Sequence, residues 1–193
     1  MSPQRSNRSN LLEGTLRCLE RLSPERITAR AIAEESGANI ASIAYHFGSK
    51  DELVTEAVVT GLDRWLVEIG NALGELEALE PKDRFRRAAT VFETTRQLHL
   101  GLVRNCLGAL ARGQHDPRVR ETLAGGFRRT RPRVAALIGL GEDQTGEDAA
   151  GLVHSLFTGL LFQTLVDPDL AIEGRRMNRA QARLRTVLPV KSS

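Results

Sequence analysis

The sequence predicts an all-α protein. Apolar residues recur at three- and four-residue spacing through nearly every segment, and no convincing run alternates with period two. Leu, Ala, Arg and Glu, all good helix formers, dominate the chain, and Gly and Pro fall mostly between the periodic stretches.

The elements follow in order. A first helix is expected over 6–22, with Leu12, Leu16, Leu19 and Leu22 facing inward. Two short helices follow, at 29–36 and 40–46, and a long one begins at Lys50, passes Trp65 and ends near 76. Pro81 suits the first turn of a helix over 81–99, because its missing N–H is one that a helix start leaves unpaired anyway. Further helices are expected over 100–112, 118–138, 146–166 and 175–188, about nine in all. The loops at Asp116-Pro117, 139–144 and Asp167-Pro168-Asp169 separate the later ones, and no internal repeat is visible.

Composition narrows the function classes. With 193 residues, 41% apolar and 26% charged, the chain has the make-up of a folded domain and not of a disordered or collagen-like one. The 27 basic and 24 acidic side chains leave a net charge of +3, so any nucleic-acid affinity must come from where charge is placed. Cys18 and Cys106 form neither a disulfide framework nor a zinc pattern. The opening Met-Ser-Pro-Gln-Arg-Ser has no apolar h-region, so export is not expected. The apolar stretch 149–166 includes His154, Ser155, Gln163 and two glycines; it is expected to be a buried helix and not a membrane span. A soluble, cytoplasmic protein with no membrane partner is the expectation.

The most informative stretch runs from Ile27 to Leu53. Thr28 is placed to cap a helix, its hydroxyl accepting from an unpaired backbone N–H, while Ile27 and Ile32 form the apolar staple that fixes the entry angle. Gly37 ends that helix where a left-handed residue is needed, and Asn39 caps again two residues later. Helices joined by so tight a turn must cross steeply, as in a helix-turn-helix. In the second helix, Ile43 and Phe47 share the inner side and Ile40 lies near its edge. Ala41, Ser42 and Tyr45 face outward with His46 at the border, a face with small groups and no acid. A helix of that kind is able to approach base edges in a major groove about 12 Å wide. Gly48 closes it, Ser49-Lys50-Asp51-Glu52 is a capping box opening the next helix, and Lys50 is expected to be spare for a phosphate.

Three runs together, Thr28-Ala29-Arg30-Ala31-Ile32-Ala33, Gly37-Ala38-Asn39 and Ser42-Ile43-Ala44-Tyr45-His46-Phe47-Gly48-Ser49-Lys50-Asp51-Glu52-Leu53, resemble the N-terminal domain of TetR-family transcriptional regulators. The resemblance covers roughly residues 10–58. The family often carries an aromatic where this chain has Ala44; here Tyr45 follows instead. What it implies is a three-helix DNA-binding domain with a helix-turn-helix over 28–47, within residues 1–50, followed by a larger helical effector-binding and dimerisation domain, 51–193. Thr28 would cap its helix and touch phosphate, and Asn39, Ile40, Ala41 and Ser42 would sit at the groove end of the recognition helix. Tyr45, His46 and Lys50 would hold the backbone, phosphate contacts fixing register while base-edge contacts select sequence. Arg5 and Arg8 form either an arm reaching a neighbouring groove or a solubilising tail; Ser42 is alternatively solvated and His46 alternatively packed.

In the remaining three quarters, the helix through 152–166 is apolar nearly all round, and a second apolar stripe needs a second partner. Leu152, Leu156 and Leu160 there, with Met177, Ala180, Leu184 and Val187 on the last helix, are the expected dimer interface, a four-helix bundle about a two-fold axis. The alternative is that both helices complete the monomer core. The resemblance also implies a cavity for a small-molecule effector among 81–138, and because few charged residues there are forced inward a largely apolar ligand is expected; its candidate lining is Trp65, Phe92, His99, Val103, Cys106, Leu110, Phe127 and Phe157.

No Glu stands three residues before a His in the di-iron pattern, and H-E-x-x-H, a Walker loop, G-x-S-x-G and C-x-x-C are all missing. His99 and Cys106, seven residues apart, are a weak nucleophile or metal pair. No enzyme, metal or cofactor is therefore expected. The expectation is a dimeric repressor that binds a palindromic double-stranded DNA operator and is released by a small molecule. An activator fits equally well, and a helical enzyme or carrier is the rival from another class.

Overall fold

The computed structural model describes residues 7–73 and 79–187, and these form helices joined by short turns, with no strand among them. In chain order they are α1 (Asn7–Arg21), α2 (Ala29–Ser36), α3 (Ala41–Phe47), α4 (Lys50–Leu73), α5 (Pro81–Thr95), α6 (Leu100–Gly113), α7 (Pro117–Ile138), α8 (Gln144–Val166) and α9 (Gly174–Val187). Short 3-10 turns occupy Pro24–Arg26, Arg96–His99 and Pro168–Leu170. The all-α expectation holds. The expected ends of α4 near 76 and of α9 at Leu188 lie outside the described residues.

One expected helix is split. The stretch 81–99 ends as an α-helix at Thr95 and tightens into the 3-10 turn Arg96–His99. The hydroxyls of Thr94 and Thr95 both donate to the Val91 carbonyl, at 2.9 Å each, competing with the backbone for the acceptor that the next turn would use.

The described residues pack as two compact units that divide within α8, between His154 and Ser155. In the first, α1 packs against α2, α3, α4 and α6, and this explains why its buried face is broader than the stripe expected from sequence. Leu11 and Thr15 are fully buried beside Leu16, Cys18 and Leu19, while Leu12 and Leu22 are only half-buried. Thr15 avoids a buried unpaired hydroxyl by donating to the Leu11 carbonyl at 2.7 Å. Ile27 and Ile32 are both buried, as the staple requires.

Helix α4 is the spine. Leu53, Val54, Ala57 and Val58 join α1 and α3 with Leu102 and Cys106 of α6 in one cluster; Val59 meets Ala109, Val119 and Leu123 in a second. A third holds Val134, Ala135, Ile138 and Ala150, with Leu66, Phe85 and Val153 against it. At 1.5 Å per residue, 24 residues of α4 extend about 36 Å, enough to carry all three clusters.

The expectation that 149–166 is a buried helix is met only in part within the single chain, where Ala150 and Leu161 are buried. Only 17% of the most apolar stretch of α8 is buried, Leu152 is 75% exposed and Val166 85%. The reason is one-sidedness: Ala150 and Val153 pack in the cluster with α7, whereas Leu152 and Leu156 on another side of the helix stay exposed among the described residues. By length and composition α8 is long and apolar enough to cross a bilayer. Its first half is nonetheless committed to protein through Ala150, Val153 and His154, whose ring lies 5.6 Å from that of Phe127. In the second unit, Asp167 caps the Pro168–Leu170 turn by accepting from the Asp169 N–H at 2.9 Å, and Met177 is the buried residue of α9.

Candidate nucleic-acid interface

The helix-turn-helix is built by its caps. The Thr28 hydroxyl accepts from the Ala31 N–H at 3.1 Å, and Gly37 adopts φ 65°, a left-handed conformation that costs a side chain dearly. The Ala38 N–H then returns to the Ala33 carbonyl at 3.1 Å, closing α2. Asn39 accepts from the Ala41 N–H at 2.9 Å and so caps α3 although the helical bonding begins two residues later. Both caps expected from the sequence are present.

Ile43 and Phe47 of α3 are buried, which fixes the rotation of the helix. Tyr45 is 85% exposed, Ala41 and Ala44 are exposed, and Ser42 and His46 are half-buried. Ile40 is half exposed, so it stands farther out than its expected place near the inner edge. The Tyr45 and His46 rings meet edge to face with centroids 4.8 Å apart. Residues 40–46 thus form a narrow, acid-free outward ridge.

The Ser49 hydroxyl accepts from the Glu52 N–H at 3.1 Å and donates to the Glu52 carboxylate at 3.3 Å, a capping box in which hydroxyl and carboxylate close on each other. Lys50 is not spare: its ammonium pairs with Asp51 at 3.1 Å. Both partners are partly exposed, so the pair is weak and a phosphate can compete for the lysine.

Arg8 belongs to α1 and is no loose tail. It donates to both oxygens of Glu56 at 2.6 and 2.8 Å, and its guanidinium lies 4.8 Å from the Phe47 ring centroid. It ties α1 to the end of α3 and to α4. Arg5 lies outside the described residues. Arg17 and Arg21 both reach Glu35, Arg30 reaches Glu34, and Arg64 reaches Glu13. Many arginines of this region are therefore committed to internal pairs.

The sequence did not reveal a second set of charges beside the interface. Arg112 of α6 lies 3.8 Å from Asp51, and Arg118 at the start of α7 lies 3.5 Å from Glu52. The second pair spans 66 positions, and no periodic signal connects them.

The candidate effector residues divide into groups. Trp65 is buried, stacks on Phe92 with centroids 4.9 Å apart, and lies 4.7 Å from His99. Its indole N–H donates to the Thr95 hydroxyl at 2.8 Å, and His99 bonds Glu68 at 3.0 Å. Cys106 belongs instead to the core cluster beneath α1, with Leu110 against it; burial pushes its thiol up to about 11. Val103 is buried in α6, Phe127 faces His154, and Phe157 is half-buried in the second unit. His99 and Cys106 are thus engaged with different neighbours. Burial and the positive charge of Arg131 hold His154 below the usual imidazole range.

Of the expected dimer residues, Leu152, Leu156, Leu184 and Val187 are exposed, Leu160 and Ala180 half-buried, and Met177 buried.

Residues 11–57 match the model of the family described as bacterial regulatory proteins, tetR family. No curated protein matches the chain. Among solved structures, a chain from Rhodococcus sp. RHA1 is similar with a TM-score of 0.71 at 15% identity, covering 97% of each chain. A TetR transcription regulator from Haloarcula marismortui is similar at 0.62 and 17% identity, over 85% of this chain and 88% of that one. A protein from Saccharomonospora viridis, solved in complex with choline, is similar at 0.57 and 24% identity, over 83% and 85%. At these identities the likeness to solved structures is one of fold.

Proposed function

Because the chain carries the N-terminal domain of the tetR family of bacterial regulatory proteins, a family of transcriptional regulators, we propose that it is a dimeric repressor whose hold on DNA a small molecule releases. The observation that carries this reading is the outward ridge of residues 40–46, doubly capped and free of acid. Asn39, Ile40, Ala41 and Ser42 face the base edges, Ile40 and Ala41 offering apolar surface to a thymine methyl. Thr28, Tyr45, His46 and Lys50 hold phosphates, and Lys50 exchanges Asp51 for the DNA backbone.

Two copies joined through Leu152, Leu156 and Leu160 with Ala180, Leu184 and Val187, Met177 being buried within its own chain, present two ridges about 34 Å apart, one turn of duplex, and so read a palindrome. The domain boundary lies near residue 50, with the effector taken up among the helices of 81–138 and α4, beside Trp65, Phe92 and His99. One similar protein was solved with a small ligand, choline, which supports this reading. An effector preferring the arrangement that misplaces the ridges needs a coupling of only about 1–3 kcal/mol to change affinity 5–150-fold.

A gel shift on DNA flanking the gene tests the proposal. A palindrome bound at low salt without ligand is the expected result; failure to bind any such segment overturns it. Lys50→Ala is expected to weaken binding to all sequences, and Ser42→Ala to relax preference at one base pair.

A further inference from the structure

We propose that Arg118, the second residue of α7, is a DNA-phosphate contact supplied from outside the helix-turn-helix, parked on Glu52 until the DNA backbone replaces that carboxylate. This rests on the DNA-binding reading above and adds to it a residue that the matched region, 11–57, does not contain.

Placement is the first ground. The Arg118 guanidinium lies 3.5 Å from Glu52 and 3.3 Å from where a Cβ would stand on Gly48, the residue that closes α3. It therefore sits at the end of the ridge, on the edge that also carries Lys50. Its backbone is fixed there: Pro117 starts α7, Asp116 accepts from the Arg118 and Val119 N–H groups at 2.9 and 3.3 Å, and Val119 is fully buried against Val59 of α4. A rigid foot with a long, 74% exposed side chain suits a group that swings between two acceptors.

The looseness of its present partner is the second ground. Charge-assisted pairs normally close to about 2.7–2.9 Å. Arg8 on Glu56 and Arg17 on Glu35 come closer still, both at 2.6 Å, whereas Arg118 stands off at 3.5 Å. An exposed pair of that kind is worth about 0–1 kcal/mol, so exchanging the carboxylate for a phosphate costs little.

Charge supply is the third. Arg8, Arg17 and Arg30 close on glutamates within the helix-turn-helix unit and its flanks, and Arg21 shares Glu35 with Arg17 from 3.4 Å. At the start of α4, by contrast, three cations, Lys50, Arg112 and Arg118, face two carboxylates, Asp51 and Glu52. Cations supplied by α6 and α7 thus gather with Lys50 at the edge that this proposal gives to the duplex backbone.

The test uses the full chain and the duplex that it selects from a randomised DNA library. Affinity is measured against salt for the wild type, Arg118→Gln, Arg118→Lys and Arg128→Gln. Arg128 is a control on the same helix, paired with Glu121 at 2.6 Å. Arg118→Gln is expected to lose affinity several-fold for all sequences and to reduce the salt slope by about 0.9, the release accompanying one phosphate contact. Arg118→Lys keeps the slope, and so does Arg128→Gln. Glu52→Gln tightens binding in the wild type and has no effect on an Arg118→Gln background. An Arg118→Gln slope equal to that of a wild type that selects a duplex overturns this inference alone. A wild type that selects no duplex overturns the DNA-binding reading and this inference with it.

Discussion

At the scale of single residues, caps and buried titratable groups decide what is measurable. Thr28 supplies one hydrogen bond to the start of α2, and Thr28→Ala is expected to lower unfolding stability by about 1 kcal/mol, read from the urea midpoint at unchanged m-value. Cys106 is buried with its thiol pushed up to about 11, so it should resist alkylation at pH 8 in the folded protein and react only once denaturant opens the core. His154 makes a pH prediction with a definite sign. Its folded pKa is depressed by burial and by Arg131, so the unfolded chain takes up the proton first. Stability from this residue is intact above the unfolded value of about 6.5, falls as pH drops through it, and levels off below the folded value. The wild type should therefore lose stability relative to His154→Gln between about pH 7 and pH 5, measured by chemical denaturation at each pH.

At the scale of elements, close approach of helices replaces side-chain bulk at a few glycines. A Cβ on Gly101 would collide with the Leu19 carbonyl oxygen and stand 3.2 Å from the Glu20 Cα, backbone atoms that cannot rotate aside. Gly101→Ala should cost about 1–3 kcal/mol by lifting α6 from α1. A Cβ on Gly70 would meet only Leu137 at an ordinary 3.6 Å, so Gly70→Ala should stabilise by about 0.5–1 kcal/mol; paired urea titrations check the opposite signs. The helices themselves were legible in the sequence because their stop and start signals are local: Thr28, Gly37, Asn39 and Ser49 lie within a few residues of the groups that they pair. The break after Thr95 was not, since it depends on hydroxyls choosing a carbonyl over solvent. Nor was the meeting of Arg118 with Glu52, because charged residues on exposed faces carry no period that says which partner they find. Of the candidate interface, the inward pair Ile43 and Phe47 and the outward face opposite them followed from helical geometry alone; the pairing of Lys50 with Asp51 did not.

At the scale of the whole molecule, the apolar face left open on α8 sets the oligomeric prediction. Leu152 and Leu156 lie four residues apart on one side of the helix and are both exposed, whereas Ala150 and Val153 turn to α7. Hydrophobic period shows that a stripe is apolar but not which molecule covers it, which is why the sequence pointed to burial and the structure to exposure. The wild type is expected to sediment as a dimer. Leu152→Asp with Leu156→Asp should sediment as a folded monomer of unchanged helicity and should bind the selected duplex far more weakly, each half losing the cooperation of the other.

Trp65 is the sole tryptophan in the chain, buried against Phe92 and His99 with its indole N–H on Thr95. Its emission therefore reports from one address inside the protein, without labels and without background from other indoles. Any compound that wedges those rings apart announces itself as a change of colour or brightness, so a plate of candidate metabolites can be sorted in an afternoon by light alone.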